Sequence, residues 1–352
     1  MKIYEHPLYL ADVEYLAQLD LPWEKFKNRI VFISGATGMI GSLFIDVLMR
    51  KNKESLNCRI YALGRSYSRF KQRFGIYKSD DLCQFIEYDV REPLVVSREK
   101  RADYVIHLAS NTHPIQYSED PIGTVTSNVI GLNNLLVFSV KHNIKRFVFA
   151  SSNEIYGENR GDVDSFSENY CGYIDCNSLR AGYPESKRCG EALCQAYIKQ
   201  ANLDIVIARF TRTYGPSLLK NDSKALSQFL HKAIAGDDII LKSEGRQLYS
   251  YLHVTDSVAG LLTILLKGKT GQAYNISDKA SDINLRDLAH LVAEEVGRSV
   301  KFEIPDKKEQ EGYSRVTKAL LDNDKLKSLG WSAKYDVKNG IEQTIKVLKD
   351  IS

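Results

Sequence analysis

The sequence predicts an α/β fold built on a doubly wound parallel sheet, with helices on both faces. Two observations support this prediction. Short apolar, β-branched runs alternate with longer stretches of helical periodicity along the chain, and such alternation favours parallel strands joined by helices. In addition, residues 29–50 read in order as a strand, a glycine-rich turn and a helix. A parallel sheet of this kind binds ligands at the carboxyl ends of its strands.

Composition excludes several classes of protein. The chain has 352 residues, of which 43% are hydrophobic, and a net charge of +4, which argues against a nucleic-acid binder. We expect no membrane span, because no apolar run approaches ~18 residues, and no signal peptide, because a basic amino-terminal region is absent. The six cysteines show no zinc-ligand spacing, so we expect reduced thiols, no metal and a cytoplasmic location.

The segment 1–28 precedes the first predicted strand. Apolar positions recur at helical spacing over residues 9–21, which predicts a short amphipathic helix that Pro22 ends. We interpret the segment as an amino-terminal arm that packs either on the core or on a partner subunit.

The stretch 29–50 carries a dinucleotide fingerprint. A β-branched run, Ile30 to Ile33, leads into glycines at 35, 38 and 41 and then into an apolar helix. The glycines permit a tight turn, a close approach to a pyrophosphate and close packing of the helix on the sheet, while the helix amino terminus attracts phosphate. The predicted cofactor contacts here are Gly35, Thr37, Gly38, Met39, Ile40 and Gly41.

Further strands are predicted at 59–63, 85–89, 104–109 and 146–150, with a helix at 124–141. The second strand should specify the cofactor, because an acidic residue at its end would bind the ribose hydroxyls of NAD. Arg65 stands there instead, which favours the 2′-phosphate of NADP, although the side chain could also stack on adenine or face solvent. The other predicted cofactor contacts at strand ends are Asp89, Val90, Leu108, Ala109 and Ser110.

Candidate catalytic residues follow the fifth strand. Tyr183 and Lys187 are four residues apart and so share one helical face. A lysine ammonium beside a phenol should lower the phenol pKa, and the phenolate could then take a proton from a sugar hydroxyl as hydride leaves carbon. Ser152 could donate a hydrogen bond to the same oxygen.

Eight short motifs occur along the chain: Gly35-x-x-Gly38-x-x-Gly41, His107-Leu-Ala109, Ala150-Ser-Ser152, Tyr156-Gly157, Tyr183-x-x-x-Lys187, Tyr214-Gly215-Pro216, His253-Val-Thr-Asp256 and Leu329-Gly330-Trp331. With them, residues 29–350 resemble the extended short-chain dehydrogenase/reductase family, in its nucleotide-sugar epimerase/dehydratase/decarboxylase branch. The segment 168–188 is most similar to UDP-glucuronate decarboxylases.

This resemblance implies a Rossmann domain at 29–215 and a smaller α/β substrate domain at 216–352, with some chain crossing back. It implies an NAD(P) that oxidises a nucleotide-diphosphate sugar, most often a UDP-sugar, at C4. The 4-keto sugar is then decarboxylated, epimerised or dehydrated. It also implies a homodimer formed through the helix 124–141 and the helix that bears Tyr183. The alternative is a nucleotide-sugar-binding protein that has kept the fold and lost the catalytic activity. The presence of Ser152, Tyr183 and Lys187 disfavours it.

The chain departs from the family pattern at three places. Asn153 stands where dehydratases have an acid, which puts 4,6-dehydration in doubt, so that Glu154 is the candidate second acid/base. Tyr249 replaces an arginine that helps to hold the diphosphate or the acidic end of the sugar. Arg212 stands where the family has an asparagine before its Tyr-Gly-Pro motif, and it could supply the missing cation. The other predicted substrate contacts are Arg315 and, on a helix expected at 225–235 over the nucleotide, Gln228.

Overall fold

A computed structural model describes residues 1–78, 80–97, 101–111, 119–218, 222–303 and 316–352. Within these ranges seven parallel strands form one sheet in the order β3-β2-β1-β4-β5-β6-β10. The doubly wound parallel sheet predicted from the alternation is therefore confirmed. The strands are β1 Ile30–Ser34, β2 Arg59–Gly64, β3 Cys83–Glu87, β4 Tyr104–His107, β5 Arg146–Ser152, β6 Ile205–Phe210, β7 Arg212–Tyr214, β8 Ile239–Leu241, β9 Leu248–His253, β10 Ala273–Ile276, β11 Asp282–Asn284, β12 Val300–Phe302 and β13 Lys318–Ala319.

Helices cover both faces of the large sheet. Alternate residues of β1 point to opposite faces, so that Val31 and Ile33 join one buried cluster and Phe32 joins another. The helices are α1 Pro7–Ala17, α2 Met39–Asn52, α3 Tyr67–Phe74, α4 Pro121–Lys141, α5 Gly182–Ala201, α6 Ala225–Ala235, α7 Val254–Lys267, α8 Leu285–Glu295, α9 Asp324–Lys327 and α10 Val337–Ile351. Helices α1, α2 and α7 pack on the first face, and α4 and α5 pack on the second.

The carboxy-terminal part of the chain builds a second, smaller layer. Strand β9 pairs with β7, β11 and β13, while β8 pairs with β12. Helices α6, α8 and α10 contribute to a separate buried cluster against these strands. Strand β10 and helix α7 instead belong to the large sheet and its core.

Several predicted elements differ in extent, among them the strand 104–109, which is Tyr104–His107, and the helix 124–141, which is Pro121–Lys141. The predicted helix 9–21 is Pro7–Ala17, so Pro22 does not end it. Leu19 and Leu21 pack on the core from the turn that follows, which is why they match a helical pattern without being helical. The third strand ends at Glu87 rather than at Asp89, because a turn closed by Glu92 N–H and the Asp89 carbonyl begins there.

Helix α1 packs against α2 and α7 within the same chain. Of the two packing partners expected for the amino-terminal arm, the structure shows contact with the core of the same chain.

Candidate active site

The glycine turn lies between the ends of β1 and β4. Gly35 has φ +72°, and a Cβ there would lie 2.7 Å from the Ala109 nitrogen and 2.7 Å from the Leu108 carbonyl carbon. A Cβ at Gly41 would lie 2.5 Å from the Gly35 oxygen. Gly38 is the N-cap of α2, and because it has no side chain the helix amino terminus keeps its N–H groups for a phosphate. These backbone positions therefore fit a dinucleotide pyrophosphate.

The other predicted contacts in this turn line the same edge. Thr37, Met39 and Ile40 are half-buried, and Gly38 is exposed. Met39 and Ile40 are the first two residues of α2 and pack on the core. The exposed backbone of this turn is thus at Gly38, where β1 leads into α2.

A buried histidine fixes the end of β4. His107 Nδ1 lies 2.7 Å from Ser34 Oγ, which also accepts a hydrogen bond from the Ala109 N–H at 3.3 Å. Burial, together with a smaller effect of the Lys187 charge, lowers the pKa of His107 to about 3, so the ring is neutral. Through Ser34, which bonds both the ring and the Ala109 N–H, the end of β4 is held against β1.

Ser110 is connected to the tyrosine helix by a residue that the sequence did not single out. Its hydroxyl donates to Asn128 Oδ1 at 2.8 Å, and Asn128 Nδ2 donates to Ser186 Oγ at 2.9 Å. Asn128 is fully buried on α4. A polar residue on the apolar face of a predicted helix was the signal that could have indicated it.

Tyr183 lies in the first turn of α5 and is 6% exposed. Burial is the main cause that raises its pKa, and the Glu154 carboxylate raises it further. Hydrogen bonds with the Ser152 and Ser110 hydroxyls act in the opposite direction. The structure therefore brings together the predicted tyrosine and serine, and it adds Ser110 to them.

Lys187 differs from the sequence expectation. Its Nζ donates to the Ala150 carbonyl at 2.9 Å and lies 5.9 Å from the centre of the Tyr183 ring. Burial lowers the pKa of Lys187 to about 7, although nearby Cys194 and Glu191 raise it. The expected lowering of the Tyr183 pKa by this ammonium is wrong for this structure, because desolvation outweighs the favourable charges around the phenol.

The turn after β5 carries the remaining catalytic candidates. Ser152 Oγ accepts from the Glu154 N–H at 3.2 Å and contacts Asn153 Oδ1 at 3.4 Å. Glu154 forms an ion pair with Arg180, at 2.9 Å and 3.0 Å to its two oxygens. Arg180, which comes three residues before Tyr183, lies in the segment 168–188 but was not singled out from the sequence. The carboxylate is thus held between the end of β5 and the start of α5.

Arg212 and Tyr249 lie together. The guanidinium carbon is 3.4 Å from the centre of the Tyr249 ring. Arg212 Nη1 is buried and has no hydrogen-bond partner in the described parts of the chain. Burial raises the pKa of the Tyr249 hydroxyl, the Arg212 charge lowers it and the Glu154 charge raises it.

The remaining predicted contacts that the structure describes lie on other elements. Arg65 is exposed at the end of β2. Asp89 forms an ion pair with Arg91 at 2.7 Å, whose hydrogen bonds lower the pKa of Asp89 to about 2. The Val90 carbonyl accepts from Asn134 Nδ2 at 2.9 Å. Gln228 is exposed on α6 and donates to the Ser223 carbonyl at 3.0 Å, and Arg315 lies outside the described residues.

A buried ion pair behind the catalytic strand was also missed. Arg209 on β6 pairs with Glu191 at 2.6 Å, and Ser151 donates to the same carboxylate at 2.6 Å. Arg209 also donates to the Tyr156 hydroxyl at 2.9 Å. Glu191 comes one helical turn after Lys187, a spacing that could have indicated it.

Comparisons with known proteins identify the family. The model of the NAD-dependent epimerase/dehydratase family matches residues 31–277. The chain belongs to the NAD-dependent epimerase/dehydratase family. The resemblance predicted from the motifs is thereby confirmed, and so is NAD as the kind of cofactor. The chain is an enzyme of this kind, which sets aside the silent binding protein.

Individual relatives agree with this assignment. UDP-glucuronic acid decarboxylase 1 of Xenopus tropicalis is 30% identical over 325 residues, which cover 92% of this chain and 72% of the relative. A dTDP-glucose 4,6-dehydratase from Streptomyces venezuelae, with NAD bound, superposes with TM-score 0.77 at 23% identity and covers 91% of this chain and 97% of its own. A UDP-glucuronic acid 4-epimerase from Bacillus cereus, in complex with UDP-glucuronic acid and NAD, superposes with TM-score 0.76 at 20% identity. The match covers 92% of this chain and 100% of the epimerase chain. These two structures share the fold of this epimerase/dehydratase-family chain.

Two other kinds of feature are absent from the described residues. Among the described residues, no group of three or more His, Cys, Asp or Glu side chains is placed to hold a metal ion. No helix within the described ranges is long and apolar enough to span a membrane.

Proposed function

We propose that this enzyme converts a UDP-sugar that carries a carboxylate at C5, by transient oxidation at C4 followed by loss of carbon dioxide. One observation carries the proposal: the Tyr183 hydroxyl is hydrogen-bonded to Ser152 at the strand edge that also holds the glycine turn. Bound dinucleotide would supply the hydride acceptor. In its deprotonated form, Tyr183 would take the O4 proton while Ser152 holds the same oxygen.

The remaining residues support decarboxylation over dehydration. Once C4 is a ketone, the C5 carboxylate is a β-keto acid, so the electrons of the C5–C6 bond can pass to O4 as carbon dioxide leaves. Ser152 and Tyr183 would stabilise the negative charge that develops on O4. Asn153 has no acidic proton for a leaving hydroxyl, which disfavours dehydration.

We assign substrate contact to Arg212 and Tyr249. The ring of Tyr249 supports the guanidinium on one face, and stacking of this kind is typical of arginines that bind carboxylate or phosphate. Buried Nη1 leaves a donor for an anionic group. Arg212 would thus supply from β7 the cation that the sequence lacks at Tyr249.

Epimerisation at C4 is the second candidate, and Tyr249 favours it. Without a cation on β9, the substrate carboxylate has fewer charged partners than the family pattern predicts. Incubation of the purified enzyme with UDP-glucuronic acid, followed by mass spectrometry of the nucleotide product, separates the outcomes. Loss of carbon dioxide is expected, no change of mass would indicate epimerisation, and loss of water would contradict both.

We further propose that NADP is the preferred dinucleotide. Arg65 is exposed at the end of β2, where the 2′-position of the adenosine ribose is expected. We expect Arg65→Ala to weaken NADP binding by about ten-fold while NAD binding is unchanged. Arg59→Ala is the control, because Arg59 is exposed at the opposite end of the same strand. Equal losses for both dinucleotides in titration calorimetry would refute the preference.

We also propose that the enzyme is a homodimer that buries α4 and α5. Large apolar side chains on α4 support this: Ile122, Val125, Ile130 and Val137 are between 37% and 77% exposed.

A further inference from the structure

The helix that precedes the first strand is bound to both halves of the protein. Helix α1 lies before the region that matches the family model. On one side its Tyr9, which is 2% exposed, donates a hydrogen bond to Asp46 of α2 at 2.6 Å. Arg73 and Tyr77 also contact the Asp46 carboxylate. Tyr9 thus fixes α1 to the helix that carries the glycine fingerprint.

On the other side, Asp12 binds the carboxy-terminal part of the chain. Its carboxylate is 2% exposed and accepts three hydrogen bonds. The donors are Lys334 Nζ at 2.7 Å, the Tyr335 hydroxyl at 2.7 Å and Gln343 Nε2 at 2.8 Å. A buried carboxylate with three donors is expensive to alter, because each donor would lose its partner.

The hydrogen bonds continue from Asp12 to the substrate strands. Burial lowers the pKa of His253 to about 4, so its ring is neutral. His253 Nδ1 accepts from the Thr255 N–H at 3.3 Å, which places the ring proton on Nε2. That proton is donated to Gln343 Oε1 at 3.2 Å, while the amide of the same Gln343 side chain donates to Asp12. The three groups therefore have a single consistent orientation.

His253 ends β9 and faces β7. Its ring meets the Tyr214 ring edge-on at 5.6 Å, and the two residues are paired in the sheet. Arg212 lies two residues before Tyr214, and Tyr249 lies four residues before His253. The contacts that begin at Asp12 thus end on the two strands that carry the proposed substrate residues.

We infer that Asp12 is a positioning residue for the nucleotide-sugar site: through Gln343 and His253, α1 holds β7 and β9 in place over the dinucleotide face. The part of this inference that concerns substrate affinity rests on the proposed function. The part that concerns the strands does not, because it follows from the hydrogen bonds alone. Asp12 itself need not touch substrate or cofactor.

The test compares Asp12→Asn with Glu14→Gln. Glu14 lies on the same helix and forms a half-exposed pair with Arg50 of α2 at 2.6 Å. Hydrogen exchange is measured by mass spectrometry, and the Kd values of UDP and of NADP by titration calorimetry. For Asp12→Asn we expect faster exchange in 212–214, 248–253 and 337–348, and a Kd for UDP raised about ten-fold. The Kd for NADP should stay within about two-fold of the wild-type value, and Glu14→Gln should change neither.

Two outcomes would overturn the inference. One is faster exchange throughout the chain, including β1 and β4, which would mean a general loss of stability. The other is unchanged exchange in 212–214 and 248–253. If wild-type enzyme fails to bind UDP, the proposed function fails while the exchange pattern still decides the positioning role. If Asp12→Asn does not fold, Tyr335→Phe removes one donor only, and the same segments should respond more weakly.

Discussion

At the scale of single residues, the proposed chemistry depends on Tyr183. Its hydroxyl is bonded to two serines and lies near a carboxylate, so it has hydrogen-bonding partners before any ligand is bound. We expect Tyr183→Phe to lower turnover at least about 100-fold, because the group that exchanges a proton with O4 is lost. Dinucleotide and UDP should still bind with near wild-type Kd values.

The control for this substitution is Tyr173→Phe. Tyr173 is 48% exposed and lies outside the group of residues around Tyr183, so turnover should be unchanged. Turnover of Tyr183→Phe close to wild type, measured by product formation from UDP-glucuronic acid, would contradict the role assigned to the phenol.

Lys187 gives a prediction about pH. Its pKa falls from 10.5 to about 7 on burial. Between these values the unfolded chain holds a proton that the folded chain lacks, so the free energy of unfolding rises with pH through this window. Lys187→Met removes that dependence. We expect the variant to be more stable than wild type near pH 7 and the difference to shrink by up to ~1.4 kcal/mol per pH unit above it.

Urea unfolding of the cofactor-free enzyme at several pH values between 7 and 10 measures this difference. Lys199→Met, at the exposed end of the same helix, should show no pH-dependent difference from wild type. A difference for Lys187→Met that stays constant across the window would mean that the lysine is charged in the folded protein.

At the scale of single elements, the strand–turn–helix unit around Gly35 is the proposed binding site of the dinucleotide. Gly35 and Gly161 both have positive φ, +72° and +83°, but a Cβ at Gly161 meets nothing within 4 Å. We therefore expect Gly161→Ala to cost only the backbone strain of ~1–2 kcal/mol. Gly35→Ala should cost a further ~1–3 kcal/mol from the contact with Leu108 and Ala109.

Dinucleotide binding separates the two glycines further. Gly35→Ala should weaken it by at least about ten-fold, because the turn must move away from β4. Gly161→Ala should leave it unchanged. Thermal unfolding and calorimetric titration with NADP test both parts, and equal effects of the two substitutions would show that the close approach at Gly35 is not needed.

The elements were predictable where the periodicity is local. Helix α6 has the predicted bounds, Ala225–Ala235, because its apolar positions repeat at helical spacing within that stretch alone. The helix 9–21 was too long because Leu19 packs on the core from a turn. A pattern of burial does not distinguish a buried turn from a further helical turn.

The site was predictable only in part, for a related reason. Tyr183 and Lys187 are recognisable because their spacing is helical. Asn128, Arg180 and Asp12 act through partners 58, 26 and 322 residues away. No local spacing reports such pairs, and the state of Tyr183 depends on burial that only the folded chain defines.

At the scale of the whole molecule, the sheet is covered unequally. Helices α4 and α5 pack on each other and on the sheet, yet their outer side keeps apolar side chains in solvent. On the opposite face, α1 is fixed to α10 of the smaller layer by a buried hydrogen bond from Gln343 to Asp12. An exposed apolar helix face of this kind is typical of a subunit interface.

The proposed homodimer can be tested on that face with a matched pair of substitutions. Ile130 on α4 and Ile76, which lies in a turn after α3, are 46% and 45% exposed. An aspartate at a buried subunit interface is costly because its charge loses water. We therefore expect Ile130→Asp to be monomeric and Ile76→Asp to remain dimeric in light scattering coupled to gel filtration. A monomeric wild type would contradict the homodimer. Equal masses of the two variants would mean that the subunit contact does not lie at Ile130.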